Sequence, residues 1–343
     1  MNNINPKPQN CFIKIRYPIA LVVSVATWLI GAQYSTLSAA PVTEVVVKTN
    51  DLTSDGDGKF DAVGAFTLPA LNNYGSAAFR ARLNKTSTAD PFLPQPYFGL
   101  FLGDASKLSQ AARSRDPAPG GATADEFLDF GSTEAGVYGG PAVNDSGQLL
   151  FISKVVINST RSNCLFRSGP FSRLLNWGQP APVGNGMVYL ANTSQAPAFN
   201  QKGNGAFVSS LRDANFAPIG SAIYRVGTPG KLIQIVREGQ PLPGGSGTFG
   251  PMIAANSAHL ILNESGQVVF FNTSAGAIEG LYRGNGSTPI KIARLGDALP
   301  GGGSIGAFGG DRGPDMNDAG DVVFAVDLAV TGEHAIFKAS NAP

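Results

Sequence analysis

Asn263-Glu-Ser-Gly266-Gln-Val-Val-Phe270 is one of five copies of a single pattern: asparagine, two residues, glycine, three residues, phenylalanine. The others are Asn72–Phe79, Asn144–Phe151, Asn200–Phe207 and Asn317–Phe324. Asn-x-x-Gly reads as a tight turn, in which the asparagine side chain caps the backbone and glycine supplies a positive φ. A strand leaves it, as in Gln267–Phe271 or Asp321–Val326, and the phenylalanine points into a core.

Working outward, each copy is followed by a variable loop and a short strand ending aromatic-then-basic. These are Leu165-Phe166-Arg167, Ile223-Tyr224-Arg225, Leu281-Tyr282-Arg283 and Ile336-Phe337-Lys338; the first copy has Gly99-Leu100-Phe101 without the base. A third strand comes next, Leu232–Arg237 or Pro289–Arg294, closed by Pro-Gly-Gly at Pro119, Pro243 and Pro300. A fourth, glycine-spaced strand is expected around Phe249 and Phe308. No stretch beyond residue 40 sustains a helical period.

The asparagines are spaced 72, 56, 63 and 54 residues apart. That is too long for most solenoid coils and too short for tandem immunoglobulin-like domains, but it suits a four-stranded propeller blade with its loops. The ends complement each other. Val45–Phe60 aligns with Ile290–Asp297 and the turn beyond it, a second half without a first; Asp315–Ser340 is a first half without a second. The expected fold is therefore all-β: a five-bladed β-propeller of four-stranded blades, the last blade shared by the N- and C-terminal strands. Such closure removes exposed sheet edges. An open β-solenoid or two packed sheets would not need complementary ends.

Composition agrees. Of 343 residues, 43 are glycine and 24 proline, and only 14% are charged, which suits turns and strands rather than a helical bundle. A net charge of +1 with no basic stripe gives no reason to expect nucleic acid. The two cysteines, Cys11 and Cys164, exclude a disulfide framework. Cys164, in an apolar strand, reads as a small buried hydrophobe.

Lys7, Lys14 and Arg16 precede an apolar run from Pro18 to Ala32, and small residues follow at Ser38-Ala39-Ala40. That order is a secretory signal peptide, short for a membrane span of about twenty residues. We assign residues 1–40 to the leader and 41–343 to a single propeller domain. The location expected is secreted or periplasmic/extracellular, with no membrane span after the leader and a monomeric state. An uncleaved anchor is the alternative, since Pro41 would follow the cut.

The five-fold Asn-x-x-Gly-x-x-x-Phe repeat, with Gly-Asp and Pro-Gly-Gly turns between copies, resembles exported bacterial "choice-of-anchor" tandem-repeat proteins of unknown function. The resemblance covers residues of about 43 to 340 and implies no catalytic residues.

Candidate chemistry is sparse. His259 and His334 are the only histidines, and both read as structural or surface residues. Thr53-Ser-Asp55-Gly-Asp57-Gly58-Lys-Phe60-Asp61 looks like a calcium loop, with Asp55, Asp57 and Asp61 as ligands. Its twelfth position is Gly64, however, and the same residues align with the Pro-Gly-Gly turns, so a turn is favoured and no cofactor is expected. The slot before those turns holds Asp51, Asp116, Gln179, Gln240 and Asp297. Three residues earlier stand Lys48, Arg113, Asn176, Arg237 and Arg294. On five blades such a belt could line a central pocket, as acids do in some propeller glycosidases. Residues repeated in nearly every blade more often hold blades together, by pairing Arg with Asp or by capping turn amides.

Tyr97, Phe98, Trp177, Tyr189 and Phe216, in or near irregular stretches, are candidates for stacking on sugars. The insertion Asn84–Pro96 is the most divergent loop, and Asn158-Ser-Thr160 and Asn272-Thr-Ser274 match the glycosylation pattern. The favoured expectation is an exported non-enzymatic propeller that binds a glycan or a protein outside the cytoplasm. A polysaccharide-active hydrolase or lyase, or a purely structural envelope or matrix protein, is the alternative.

Overall fold

In the computed structural model the Asn-x-x-Gly turns are five superimposable hairpins. Each asparagine Oδ1 accepts the N–H four residues on, at 2.9 Å in all five: from Ser76, Gln148, Asn204, Gln267 and Asp321. The glycines Gly75, Gly147, Gly203, Gly266 and Gly320 take φ between 73° and 85°, where a Cβ would strain the backbone. A two-residue strand, unforeseen from the sequence, precedes each turn and pairs back on the long strand that follows. Ala70–Leu71 pairs with Ala77–Asn84, and Ile261–Leu262 with Val268–Ser274.

The structure describes residues 43–61, 66, 69–84, 97–120, 125–130, 140–157, 160–184, 186–190, 196–244, 247–252, 260–274, 277–309 and 313–340. Residues 1–40, expected to be a leader, His259, residues 85–96 of the insertion and Asn158-Ser159 lie outside them. Two units divide the chain, Met1–Val45 and Val46–Pro343, and the strands belong to the second.

Among the described residues the chain is all-β, without helix, in five antiparallel sheets. Each is built on one long hairpin: Ala77–Asn84 with Tyr97–Gly103, Leu149–Ile157 with Thr160–Arg167, Gly205–Arg212 with Pro218–Val226, Val268–Ser274 with Ala277–Gly284, and Val322–Leu328 with His334–Ala339. In the first four sheets a third strand adds to the outer edge: Leu108–Arg113, Ser172–Leu175, Leu232–Arg237 and Ile290–Arg294. Among the described residues the expected fourth strand shows as short pieces on the opposite edge, such as Lys59–Phe60 and Phe127–Asp129.

The register sets the core. Every motif phenylalanine is buried, and its strand partner is the aromatic of the aromatic-basic pair: Phe79–Phe101, Phe151–Phe166, Phe207–Tyr224, Phe270–Tyr282 and Phe324–Phe337. Four apolar clusters lie between successive sheets, first against second through to fourth against fifth. A fifth covers the other face of the first sheet, with Phe60, Phe79 and Phe101 under Val46 and Val47.

Among the described residues no strand pairing joins the two end pieces. His334–Ala339 pairs only with Val322–Leu328, and residues 43–49 form no strand, having no neighbouring edge to hold them extended. The turn that follows nevertheless has the repeat's geometry. Asn50 N–H donates to Phe60 O at 2.9 Å, as Gly296 N–H does to Ile305 O at 2.8 Å.

Candidate functional site

Asp116, Gln179, Gln240 and Asp297 sit where a third strand ends, and Asp51 follows the strandless residues 43–49. The backbone of Asp51, Asp116, Gln179, Gln240 and Asp297 donates to the carbonyl three residues back, at 3.0–3.3 Å. In four of them the side chain accepts the N–H of that same residue: Asp51 from Lys48 at 3.0 Å, Asp116 from Arg113 at 2.7 Å, Gln240 from Arg237 at 2.8 Å and Asp297 from Arg294 at 2.8 Å. Gln179 differs; its Nε2 donates to Gly230 O at 2.8 Å. A carboxylate and an amide oxygen can both accept in this cap, as Asp51, Asp116 and Asp297 on one side and Gln240 on the other do. Burial pushes the Asp116 carboxyl up, against the pull of the Arg113 amide and charge.

The caps do not gather into one pocket. Asp297 lines a cleft of about 430 Å³ with Pro243, Gly244, Glu279, Lys291 and Arg294. There Lys291 reaches Asp297 at 2.9 Å and Arg294 pairs with Glu279, a bond that also raises the guanidinium's pKa. Gln240 lines a different cleft of about 510 Å³, more apolar, between Pro182-Val183, Ile233–Ile235 and Gly286–Pro289.

The calcium-like loop is closed by protein groups. Asp55 Oδ1 accepts from Thr53 Oγ1 at 2.6 Å and from Asp57 N–H at 3.1 Å. Asp55 and Asp57 both take the Arg113 guanidinium, at 2.9 and 3.0 Å, while Asp61 pairs with Arg82 at 2.9 Å. Burial works against the Asp55 charge, but the Thr53 hydroxyl, the Asp57 amide and Arg113 hold its carboxyl below the usual range. Among the described residues no group of three or more His, Cys, Asp or Glu is placed to hold a metal ion. His334 Nδ1 lies 2.5 Å from Asp327 Oδ1 on an exposed strand. Cys164 is buried, and burial raises its thiol pKa.

The aromatic candidates divide. Tyr97 and Phe98 are buried in the second strand of the first sheet, an inner strand with both faces covered; Phe98 lies under the Arg80 guanidinium at 3.7 Å. They offer nothing to a ligand. In the third sheet Tyr189 is also buried, but its neighbours are not: Trp177 is 36% exposed and Phe216 56%. Trp177 meets the Tyr189 ring edge-on at 4.7 Å, and Phe216 packs against it at 5.8 Å. The three rings make one patch with a buried keystone.

Local backbone builds the patch. Gly178, beside Trp177, has φ +69°, and a Cβ there would lie 3.2 Å from the Tyr189 hydroxyl. Phe216 sits in the hairpin Asp213–Ala217 at φ 64°, a region that bulky residues rarely adopt. Asp213 Oδ1 ties the turn by accepting from Asn215 and Ala217, and Arg212 donates to the Phe216 carbonyl at 2.7 Å. Three hydrogen bonds thus hold the turn that carries Phe216 in this conformation.

One role was not legible in the motif. Besides closing their own turns, the first four asparagines donate Nδ2 to the next asparagine's carbonyl: Asn72 to Asn144, Asn144 to Asn200, Asn200 to Asn263 and Asn263 to Asn317, at 3.0–3.4 Å. The residue after each asparagine extends this ladder, for its side chain accepts the backbone N–H of its counterpart in the turn before. Asn73 donates to Asp145, Asp145 to Gln201, Gln201 to Glu264 and Glu264 to Asp318. The sequence signal was there, since that position is Asn, Asp, Gln, Glu and Asp in the five copies.

No curated protein matches the chain. Among solved structures it is similar to the Trypanosoma rangeli sialidase, at 12% identity and a TM-score of 0.39, over 88% of this chain and 52% of the sialidase. The chain thus spans about half of that enzyme's length. It is also similar to the β-propeller domain of the trilobed protease from Pyrococcus furiosus, at 8% identity and a TM-score of 0.31, over 80% and 92% of the two chains. The endo-arabinase from Bacteroides thetaiotaomicron gives 10% identity and a TM-score of 0.29, over 78% and 90%. A family model matches residues 31–174 and 199–341, well over half of the sequence, and the protein belongs to that family, DUF7453, a family of unknown function.

Proposed function

We propose that the protein is an exported, non-enzymatic five-bladed β-propeller, its last blade shared by the two ends, that binds a glycan through Trp177 and Phe216. One observation carries the reading: two exposed aromatic rings flank the buried Tyr189 in the third sheet, and the other repeats put no aromatic where Trp177 stands. Thr49, Ser114, Glu238 and Leu295 stand where Trp177 stands. A flat ring offers apolar area and a negative face to the C–H surface of a sugar, and rings locked by packing lose little entropy on binding. The repeated carboxylates, by contrast, close turns.

The test is a glycan array and affinity electrophoresis with purified protein, beside Trp177→Ala and Phe216→Ala, with reducing-end release assayed in parallel. Each truncation should weaken binding about 30-fold, the roughly 2 kcal/mol of an interface hot spot. Retention of no glycan, or full binding by both variants, would sink the reading. Release of reducing ends would overturn its non-enzymatic half.

A further inference from the structure

Four junctions join the five sheets, and they share one set of contacts. The asparagine ladder crosses each of them. At three, the base of the aromatic-basic pair reaches the carbonyl of the next turn's glycine: Arg167 to Gly203, Arg225 to Gly266 and Arg283 to Gly320. At the other, Leu102 takes the place of the base, and its Cδ2 lies where a Cβ on Gly147 would be 3.4 Å away. Each sheet's trailing face is buried by the sheet that follows. In the fourth sheet Val269, Phe271 and Leu281 are buried against Phe308, Val322 and Phe324 of the fifth.

The fifth sheet carries the same trailing surface uncovered. Phe324 pairs with Phe337 as Phe270 pairs with Tyr282, so Val323, Ile336 and Lys338 occupy the places of Val269, Leu281 and Arg283. Val323 is 41% exposed and Ile336 78%, where their counterparts are 0%. The outer edge of His334–Ala339 bears no third strand. On the first sheet the leading face holds Phe60, Phe79 and Ala81, partly roofed by Val46 and Val47 as Ile292 and Ala293 roof the fifth sheet. Lys48 and Asp51 close their turn as Arg294 and Asp297 do, which makes Val47 the counterpart of Ala293.

Resting on the five-blade reading above, we infer that a fifth junction forms within one chain, the trailing face and edge of the fifth sheet seating on the first. The four built junctions specify its contacts. Asn317 Nδ2 donates to the Asn72 carbonyl, Asp318 N–H to the Asn73 side chain, and Lys338 to the Gly75 carbonyl. Val47 comes opposite Ile336, as Ala293 is opposite Leu281 and Val236 opposite Ile223. Lys338 then exchanges its exposed pairing with Asp321, at 2.8 Å, for the role that Arg283 plays. Both surfaces belong to one chain, whose effective concentration for itself is in the millimolar range, so closure outcompetes a second copy at micromolar protein. The same contact made between copies would be heterologous and would run on as a fibre.

The test is the double variant Val47→Cys/Ile336→Cys, with each single variant as control, oxidised at micromolar concentration. Directly opposite strand residues lie within the Cα range a disulfide spans, and both sites are on the surface to be joined. The result expected is an intramolecular disulfide: a monomer by non-reducing electrophoresis, with both engineered thiols lost by intact mass. Persistent free thiols, or disulfide-linked dimers and ladders, would overturn the proposal, the latter in favour of a second copy. Glycan retention measured on the same sample separates the two ideas. Closure without binding sinks only the glycan reading, and binding with free thiols sinks the closure, and with it the shared last blade, but not the glycan site.

Discussion

Asn200→Asp is the sharpest probe of how the repeats are joined. Asn200 is buried; its Oδ1 accepts the Asn204 N–H at 2.9 Å and its Nδ2 donates to the Asn263 carbonyl at 3.0 Å. If the asparagine only closed its own turn, aspartate would serve as well, because it keeps the acceptor and is itself a good turn former. The ladder says otherwise. Aspartate loses the donor, worth about 1 kcal/mol net, and places a carboxylate oxygen against the Asn263 carbonyl in a site with little water. Together these should cost about 2–4 kcal/mol. At about 2.1 cal/mol/K per residue over roughly 300 residues, 1 kcal/mol moves the melting temperature by about 1.6 °C, so it should fall by roughly 3–6 °C. Urea unfolding followed by far-UV circular dichroism would measure it, with an unchanged m-value showing that the transition is otherwise the same. The loss should shrink as pH falls toward the ordinary carboxylate range, because a carboxyl buried against a carbonyl regains its proton above that range and can then donate. Stability within about 0.5 kcal/mol of wild type at pH 7 would refute the ladder and leave the asparagine as a turn-former alone.

Three further outcomes are expected. Phe216→Gly should leave thermal stability within about 1 kcal/mol of wild type, since glycine relieves the φ 64° backbone as it forfeits the Tyr189 contact; glycan retention should nevertheless be lost, and a variant that binds normally counts against the aromatic patch. Asp125→Ala should cost about 3–5 kcal/mol in denaturant melts, because it strands the Arg173 guanidinium, paired at 2.8 Å with both side chains nearly inaccessible. Asp55 titrates below its unfolded value, so its contribution is present above the ordinary carboxylate range and is lost as pH falls through the folded value. Asp55→Asn should therefore show a shallower loss of stability between about pH 4 and pH 2 than wild type, and identical slopes would exclude that role.

The local pieces were legible because they depend on near neighbours in the chain. Asn-x-x-Gly needs a side-chain acceptor and a positive φ within five residues, and the phenylalanine four places after the glycine falls on the core face by strand alternation. Five copies then give five hairpins, and Asp51, Asp116, Gln240 and Asp297 close turns as their repeated position suggested. Register between repeats was not legible, since it depends on which atoms meet across 54 to 72 residues. The second bond of each asparagine, the grip of Arg113 on Asp55 and Asp57, and the burial of Tyr97, Phe98 and Tyr189 are all set there. So is the patch of Trp177 and Phe216: the sequence marks both rings as candidates, but only packing on Tyr189, from a third strand, makes them one surface. Sequence alone determined the repeating unit, because hydrogen bonds and backbone preferences act over a few residues. Tertiary structure decided what the units present to one another and to a ligand, because burial and register are properties of surfaces that meet only in the folded chain.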